Sequence, residues 1–147
     1  MSERKLIHAT LVQLQGKGIL LTGKSGSGKS DLALRLIENK GAKLIADDMV
    51  EICEQNGKII GCVPQNLSGL LEVRGVGIVK YPYLESSAVD MFVALQDTPE
   101  KVDRMPIIAK EVILGLEINK IDLYAKENSA PEKIVAALRK FGQDAVS

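Results

Sequence analysis

The chain has 147 residues, 46% of them apolar and 26% charged, with 19 Lys plus Arg against 19 Asp plus Glu. That length supports one hydrophobic core and not comfortably two, so residues 1–147 are expected to form a single domain. Zero net charge argues against bulk binding to nucleic acid or acidic membranes, and no apolar run reaches the length of a membrane span.

The first residues, Met1 to Lys5, lead into no apolar h-region, so no secretory leader is expected. Leu6 to Leu14 alternates as one strand, and Gln15-Gly16 turns the chain into a second apolar run, Lys17 to Thr22. After a glycine-rich stretch, Asp31 to Glu38 carries Leu32, Leu36 and Ile37 at helical spacing, with cap chemistry near Asn39-Lys40-Gly41. Ala42 to Asp48 reads as a short buried strand finishing in two carboxylates. Val50 to Cys53 and Lys58 to Cys62 flank Asn56-Gly57, a pairing that suits a type I′ hairpin. Pro64 to Leu70 is a loop or a short helical turn. Leu71 to Val79 mixes strand character with glycines and charges, and Val89 to Leu95 is a further apolar strand. A charged loop covers Pro99 to Ala109, one or two strands broken at Gly115 cover Val112 to Leu123, and an amphipathic helix covers Ala130 to Phe141, with Pro131 in its first turn. The pattern is α/β, with more strand than simple alternation gives. Cys53 and Cys62 fall on neighbouring strands and are expected to be reduced thiols in a cytoplasmic protein. With a single histidine, His8, they leave too few ligands for a structural zinc site.

The most informative segment is Gly23-Lys24-Ser25-Gly26-Ser27-Gly28-Lys29-Ser30. It has the G-x-x-x-x-G-K-[ST] spacing of a P-loop, and it lies between an apolar strand and a helix, the context such a loop needs. The glycines let successive N–H groups face phosphate oxygens, and the new helix turns its positive end toward the same anion. Lys29 is placed to reach the β- and γ-phosphates, and the Ser30 hydroxyl to hold Mg²⁺. The segment thus predicts a site for a nucleoside triphosphate.

Asp47 and Asp48 follow Ser30 by seventeen and eighteen residues, at the carboxyl end of an apolar strand. A Walker-B carboxylate stands in that position, so one of the pair suits Mg²⁺ and the other suits a proton acceptor. Glu72 and Arg74 share a side at strand period. Two readings stay open for them, a metal contact with a phosphate clamp or an exposed ion pair. On residues alone, His8 is a structural histidine and Arg104 carries no signal.

His8-Ala-Thr-Leu-Val12, Gly23 to Ser30, Leu44-Ile-Ala-Asp-Asp48 and Leu71-Glu-Val-Arg-Gly-Val-Gly-Ile-Val79 occur in this order and together resemble the C-terminal catalytic domain of bacterial HPr kinase/phosphorylase. The resemblance runs from about residue 6 to residue 123. It implies a mixed-sheet core like that of phosphoenolpyruvate carboxykinase, and transfer of phosphate from ATP, with Mg²⁺, to a serine of HPr, the phosphocarrier of the sugar phosphotransferase system. It also implies that Asp48 is the general base, that Asp47 supports Mg²⁺ with Ser30, that Glu72 binds metal, and that His8 and Arg104 belong to the active site. A homo-oligomer, hexameric by resemblance, is implied as well. Three departures from the family's pattern accompany this, one of them a short C-terminal portion, in which Pro131 to Phe141 is left as a helix to meet a neighbouring subunit or HPr. The N-terminal domain of full-length members is not expected here. The stretch after Ile121, Asp122 to Ser129, lacks the Pro-Val-x-x-Gly-Arg-like pattern that the family links to dephosphorylation. A P-loop does not reveal its acceptor, so a small-molecule kinase and a non-catalytic ATP-sensing module remain the alternative expectations.

Overall fold

Runs of consecutive apolar residues, whose side chains point alternately to the two sides, bury both faces of a central sheet, and the rest of the molecule covers those faces. The computed structural model describes residues 4–107 and 109–146. Among the described residues twelve strands run in chain order: β1 (Arg4–His8), β2 (Thr10–Leu14), β3 (Lys17–Thr22), β4 (Lys43–Ala46), β5 (Met49–Gln55), β6 (Lys58–Cys62), β7 (Leu70–Val73), β8 (Gly77–Lys80), β9 (Ser86–Ala88), β10 (Met91–Gln96), β11 (Ala109–Ile113) and β12 (Leu116–Tyr124). Helix α1 (Lys29–Lys40) follows β3, and α2 (Ala130–Val146) follows β12. The central sheet has six strands in the order β11-β12-β10-β3-β2-β4. Within it β3, β10 and β12 are parallel, while β2 is antiparallel to both β3 and β4. The fold is α/β with a mixed sheet.

One face of this sheet, with Val12, Ile19, Leu21 and Val93, packs on Leu32, Leu36 and Ile134 of the helices. The other, with Leu11, Leu20 and Ile45, packs on Val50, Ile52 and Ile59 of a four-stranded sheet ordered β1-β5-β6-β9. Leu20 lies between Ile19 and Leu21 in sequence yet joins the opposite core, as strand periodicity requires. The β7–β8 hairpin forms a separate pair whose Leu71 joins the core under α1. No helix among the described residues is long and apolar enough to cross a membrane.

Three expectations change. The run from Leu6 to Leu14 is two strands, because the chain leaves the four-stranded sheet and enters the six-stranded one at Ala9. Leu71 to Val79 is a hairpin with Arg74 in its turn. The last helix continues through Gly142 to Val146 instead of ending near Phe141. The Gln15-Gly16 and Asn56-Gly57 turns form as expected, each with positive φ at both residues. Cys53 and Cys62 are free on adjacent strands, and burial, then the neighbouring Cys53, pushes the Cys62 thiol up, favouring its protonated form.

Gly18 in β3 marks a close approach between the two sheets. A Cβ there would stand 1.7 Å from the Ala88 carbonyl oxygen, and the Gly18 N–H donates to Asp90 Oδ2 at 2.8 Å. The obstacle is backbone and cannot rotate away. Gly18→Ala is expected to destabilise the fold by about 3 kcal/mol, read in a thermal melt as a fall of roughly 10 °C. An unchanged melting temperature would refute the close approach.

Candidate active site

The glycine loop joins β3 to α1 at the edge where β3, β10 and β12 end. Gly28 caps the helix with φ 99°, and its carbonyl accepts the Leu32 N–H at 2.9 Å. Lys29 is buried, and its Nζ donates to the Gly23 carbonyl at 2.8 Å and the Lys24 carbonyl at 3.1 Å. The ammonium thus neutralises and braces its own loop. Ser27 is buried too; its N–H donates to Lys24 O at 3.0 Å, and its hydroxyl has no partner among the described residues.

The two aspartates divide. Asp47 is committed to the scaffold: Oδ1 accepts from Ser30 Oγ at 2.6 Å and from Thr10 Oγ1 at 3.0 Å, while Oδ2 accepts the Glu72 N–H at 3.2 Å. Asp48 faces outward and its Oδ1 pairs with His8 Nε2. Its φ of 70° is left-handed, a conformation Asp tolerates better than most residues, and its carbonyl accepts the Ala9 N–H at 3.0 Å. Here two strand pairs change sheet side by side. His8 pairs with Met49 in the four-stranded sheet, and Leu11 pairs with Ala46 in the six-stranded one. The break at Ala9 and the break at Asp47-Asp48 therefore coincide, and that junction sets His8 against Asp48.

These groups surround a cavity of about 420 Å³ lined by the loop residues Ser25, Gly26, Gly28, Lys29 and Ser30, by Asp31 and Leu34 of α1, by His8 and Asp48, by Glu72, Val73 and Arg74 of the β7 hairpin, and by Lys126. Glu72 and Arg74 form no ion pair with each other; both face the cavity, Arg74 from the hairpin turn. Of the residues singled out from sequence, His8, Ser25, Gly26, Gly28, Lys29, Ser30, Asp48 and Glu72 line it. Gly23, Lys24 and Asp47 do not line it but bond to Lys29 and Ser30, which do; Ser27 does not line it either, and its N–H bonds to Lys24. Arg104 is not brought there: it lies on the exposed stretch between a short 3-10 turn at Pro99–Lys101 and β11. Lys126 was not anticipated. It sits on the turn between β12 and α2, which bears no periodic or motif signal.

Chemically, the cavity sets oxygen donors (Ser30, Glu72, and Asp47 behind them) beside cations (Lys29, Arg74, Lys126) and beside an exposed carboxylate bonded to an imidazole. Hydroxyl and carboxylate oxygens suit a hard divalent cation, and a ring of ammonium and guanidinium groups around a helix N-terminus suits phosphates.

The chain is similar to several known proteins. Residues 1–143 match the family model described as HPr Serine kinase C-terminal domain. The HPr kinase/phosphorylase of Clostridium tetani is 52% identical over 87 residues, 58% of this chain and 28% of that protein. That of Lacticaseibacillus casei is 41% identical over 115 residues, 71% of this chain and 36% of that protein. The chain thus spans about a third of the length of these curated relatives. Among solved structures, the HPr(Ser) kinase/phosphatase from Coxiella burnetii is similar with a TM-score of 0.85 at 27% identity, covering 97% of this chain and 99% of that one.

Proposed function

The chain belongs to the HPr serine kinase C-terminal domain family, and from that membership we propose that it is an ATP- and Mg²⁺-dependent protein kinase that phosphorylates a serine of the phosphocarrier HPr. The reading treats residues 1–147 as one catalytic domain acting in the cytoplasm as a homo-oligomer, with a P-loop on a core of the phosphoenolpyruvate carboxykinase type. One observation carries it: a single cavity joins Lys29, the Ser30–Asp47 pair and the outward-facing Asp48–His8 pair.

In this reading the glycine loop and the start of α1 bind the phosphate chain of ATP through backbone N–H groups. Lys29 exchanges its two loop carbonyls for phosphate oxygens. Ser30 and Asp47, already 2.6 Å apart, would hold Mg²⁺ together with Glu72, whose backbone is tied to Asp47. When bound there, the ion would neutralise negative charge on the phosphate chain. Asp48 takes the proton of the serine hydroxyl, and His8, bonded to it, keeps that carboxylate turned into the cavity. Arg74 stands at the hairpin turn, where it can pair with oxygens of the group in transit.

The test is mass spectrometry of HPr after incubation with this protein, Mg²⁺ and ATP. The expected result is one added phosphate on a serine. No transfer despite measured ATP binding would overturn the kinase reading in favour of another acceptor or a sensing module.

A further inference from the structure

Lys126 is exposed, lines the cavity, and makes no ion pair among the described residues. Its turn is nonetheless firmly held. Arg35 of α1 donates through Nη2 to the Ala125 carbonyl and through Nη1 to the Glu127 carbonyl at 3.1 Å. Ala125 is fully buried, and a Cβ added to Gly28 would meet Ala125 Cβ at 3.1 Å. Lys133 Nζ donates to Glu127 Oε1 at 2.5 Å. One guanidinium bridging two carbonyls, with the Ala125 side chain packed against the glycine loop, fixes the turn that presents Lys126.

The sheet order says which end of a ligand this cation meets. β4 is antiparallel to β2, which is antiparallel to β3, so β3, β4 and β12 all end at the same edge. The glycine loop follows β3. Asp47 and Asp48 follow β4, two strands to one side, and Lys126 follows β12, two strands to the other. Four strand spacings separate these backbones by roughly 19 Å at the sheet edge, so one phosphate does not meet both. The cavity spans both flanks, so a ligand whose terminal phosphate lies between Ser30 and Asp48 has room to extend its other end across the loop toward Lys126.

We infer that Lys126 binds the α-phosphate, the one next to the nucleoside, and so anchors the far end of the donor. This rests on the reading that the cavity takes a nucleoside triphosphate. The phosphoryl-transfer end and the anchoring end then belong to opposite sides of the sheet, and substitution of one leaves the other intact.

Titration calorimetry with Mg²⁺–ATP and with Mg²⁺–pyrophosphate, which lacks the α-phosphate and nucleoside, tests it. Lys126→Ala is expected to weaken ATP binding about tenfold, the value of one charged hydrogen bond, while pyrophosphate changes by less than about twofold. Lys126→Arg is expected to keep ATP affinity within about threefold, because it preserves the charge. Unchanged ATP affinity in Lys126→Ala would overturn the inference. So would equal weakening of both ligands, which would mark a general field and not a contact. Failure of the unsubstituted protein to bind either ligand would instead sink the triphosphate reading, and this inference with it.

Discussion

Lys29→Ala is expected to abolish phosphoryl transfer, with kcat falling at least about a thousandfold, the order seen when a group stabilising transition-state charge is removed. The assay is transfer of labelled phosphate from ATP to HPr. Lys29 is the residue whose ammonium lies within the glycine loop itself, 2.8 Å from the Gly23 carbonyl and 3.1 Å from that of Lys24. Those carbonyls are ordinary hydrogen-bond acceptors, so a phosphate bearing full charges competes well for the same ammonium. Removing the side chain also frees the two carbonyls, at about 1 kcal/mol each in stability. A thermal melt measures that separately, and a shift of a few degrees cannot account for a thousandfold loss of turnover. Near-normal turnover in a folded Lys29→Ala protein would remove the basis of the mechanism.

What the sequence made legible was local. The loop, its preceding strand and its following helix occupy residues 17–40 without interruption, and each piece carries its own signal: apolar run, glycines, helical spacing. The Asn56-Gly57 hairpin and the two carboxylates ending an apolar run are short-range in the same way. The missing parts depend on pairing. The stretch from Leu6 through Leu14 reads as one apolar run, although β1 is mostly exposed and β2 almost wholly buried, and nothing in it says that the pairing partner changes at Ala9. His8 therefore looked structural. Its neighbour Asp48 lies forty positions away, and only the coincident sheet-switch brings the two together. Lys126 was hidden for the same reason, since the guanidinium that fixes its turn comes from Arg35, about ninety residues earlier. The last helix runs past its expected end at Phe141: glycine weakens helices, yet α2 continues through Gly142, where an added Cβ would meet nothing.

Asp48→Asn is expected to leave ATP binding within about twofold while lowering transfer by about a thousandfold, within the range for loss of a positioned general base. Equilibrium binding and the HPr assay read the two effects independently. The substitution is well suited to the site. Asn is nearly isosteric and, like Asp, tolerates the left-handed φ of 70° found here, so the turn between β4 and β5 is expected to survive. Its amide can still bond to His8, but it cannot take a proton at neutral pH. Asp47→Asn makes the informative contrast. Asp47 accepts hydrogen bonds on both carboxylate oxygens, from Ser30 and Thr10 on one and from the Glu72 N–H on the other. An amide nitrogen cannot accept, so at least one of these bonds is lost, at a cost of about 1–3 kcal/mol in a partly buried setting. That variant should therefore melt earlier and need more Mg²⁺ for half-maximal activity, with part of its turnover recovered when Mg²⁺ is raised. Asp48→Asn should show neither the early melt nor the recovery. If saturating Mg²⁺ restores Asp48→Asn and leaves Asp47→Asn inactive, the roles are reversed: Asp47 is the proton acceptor, reached after its bond to Ser30 opens, and Asp48 with His8 holds the metal.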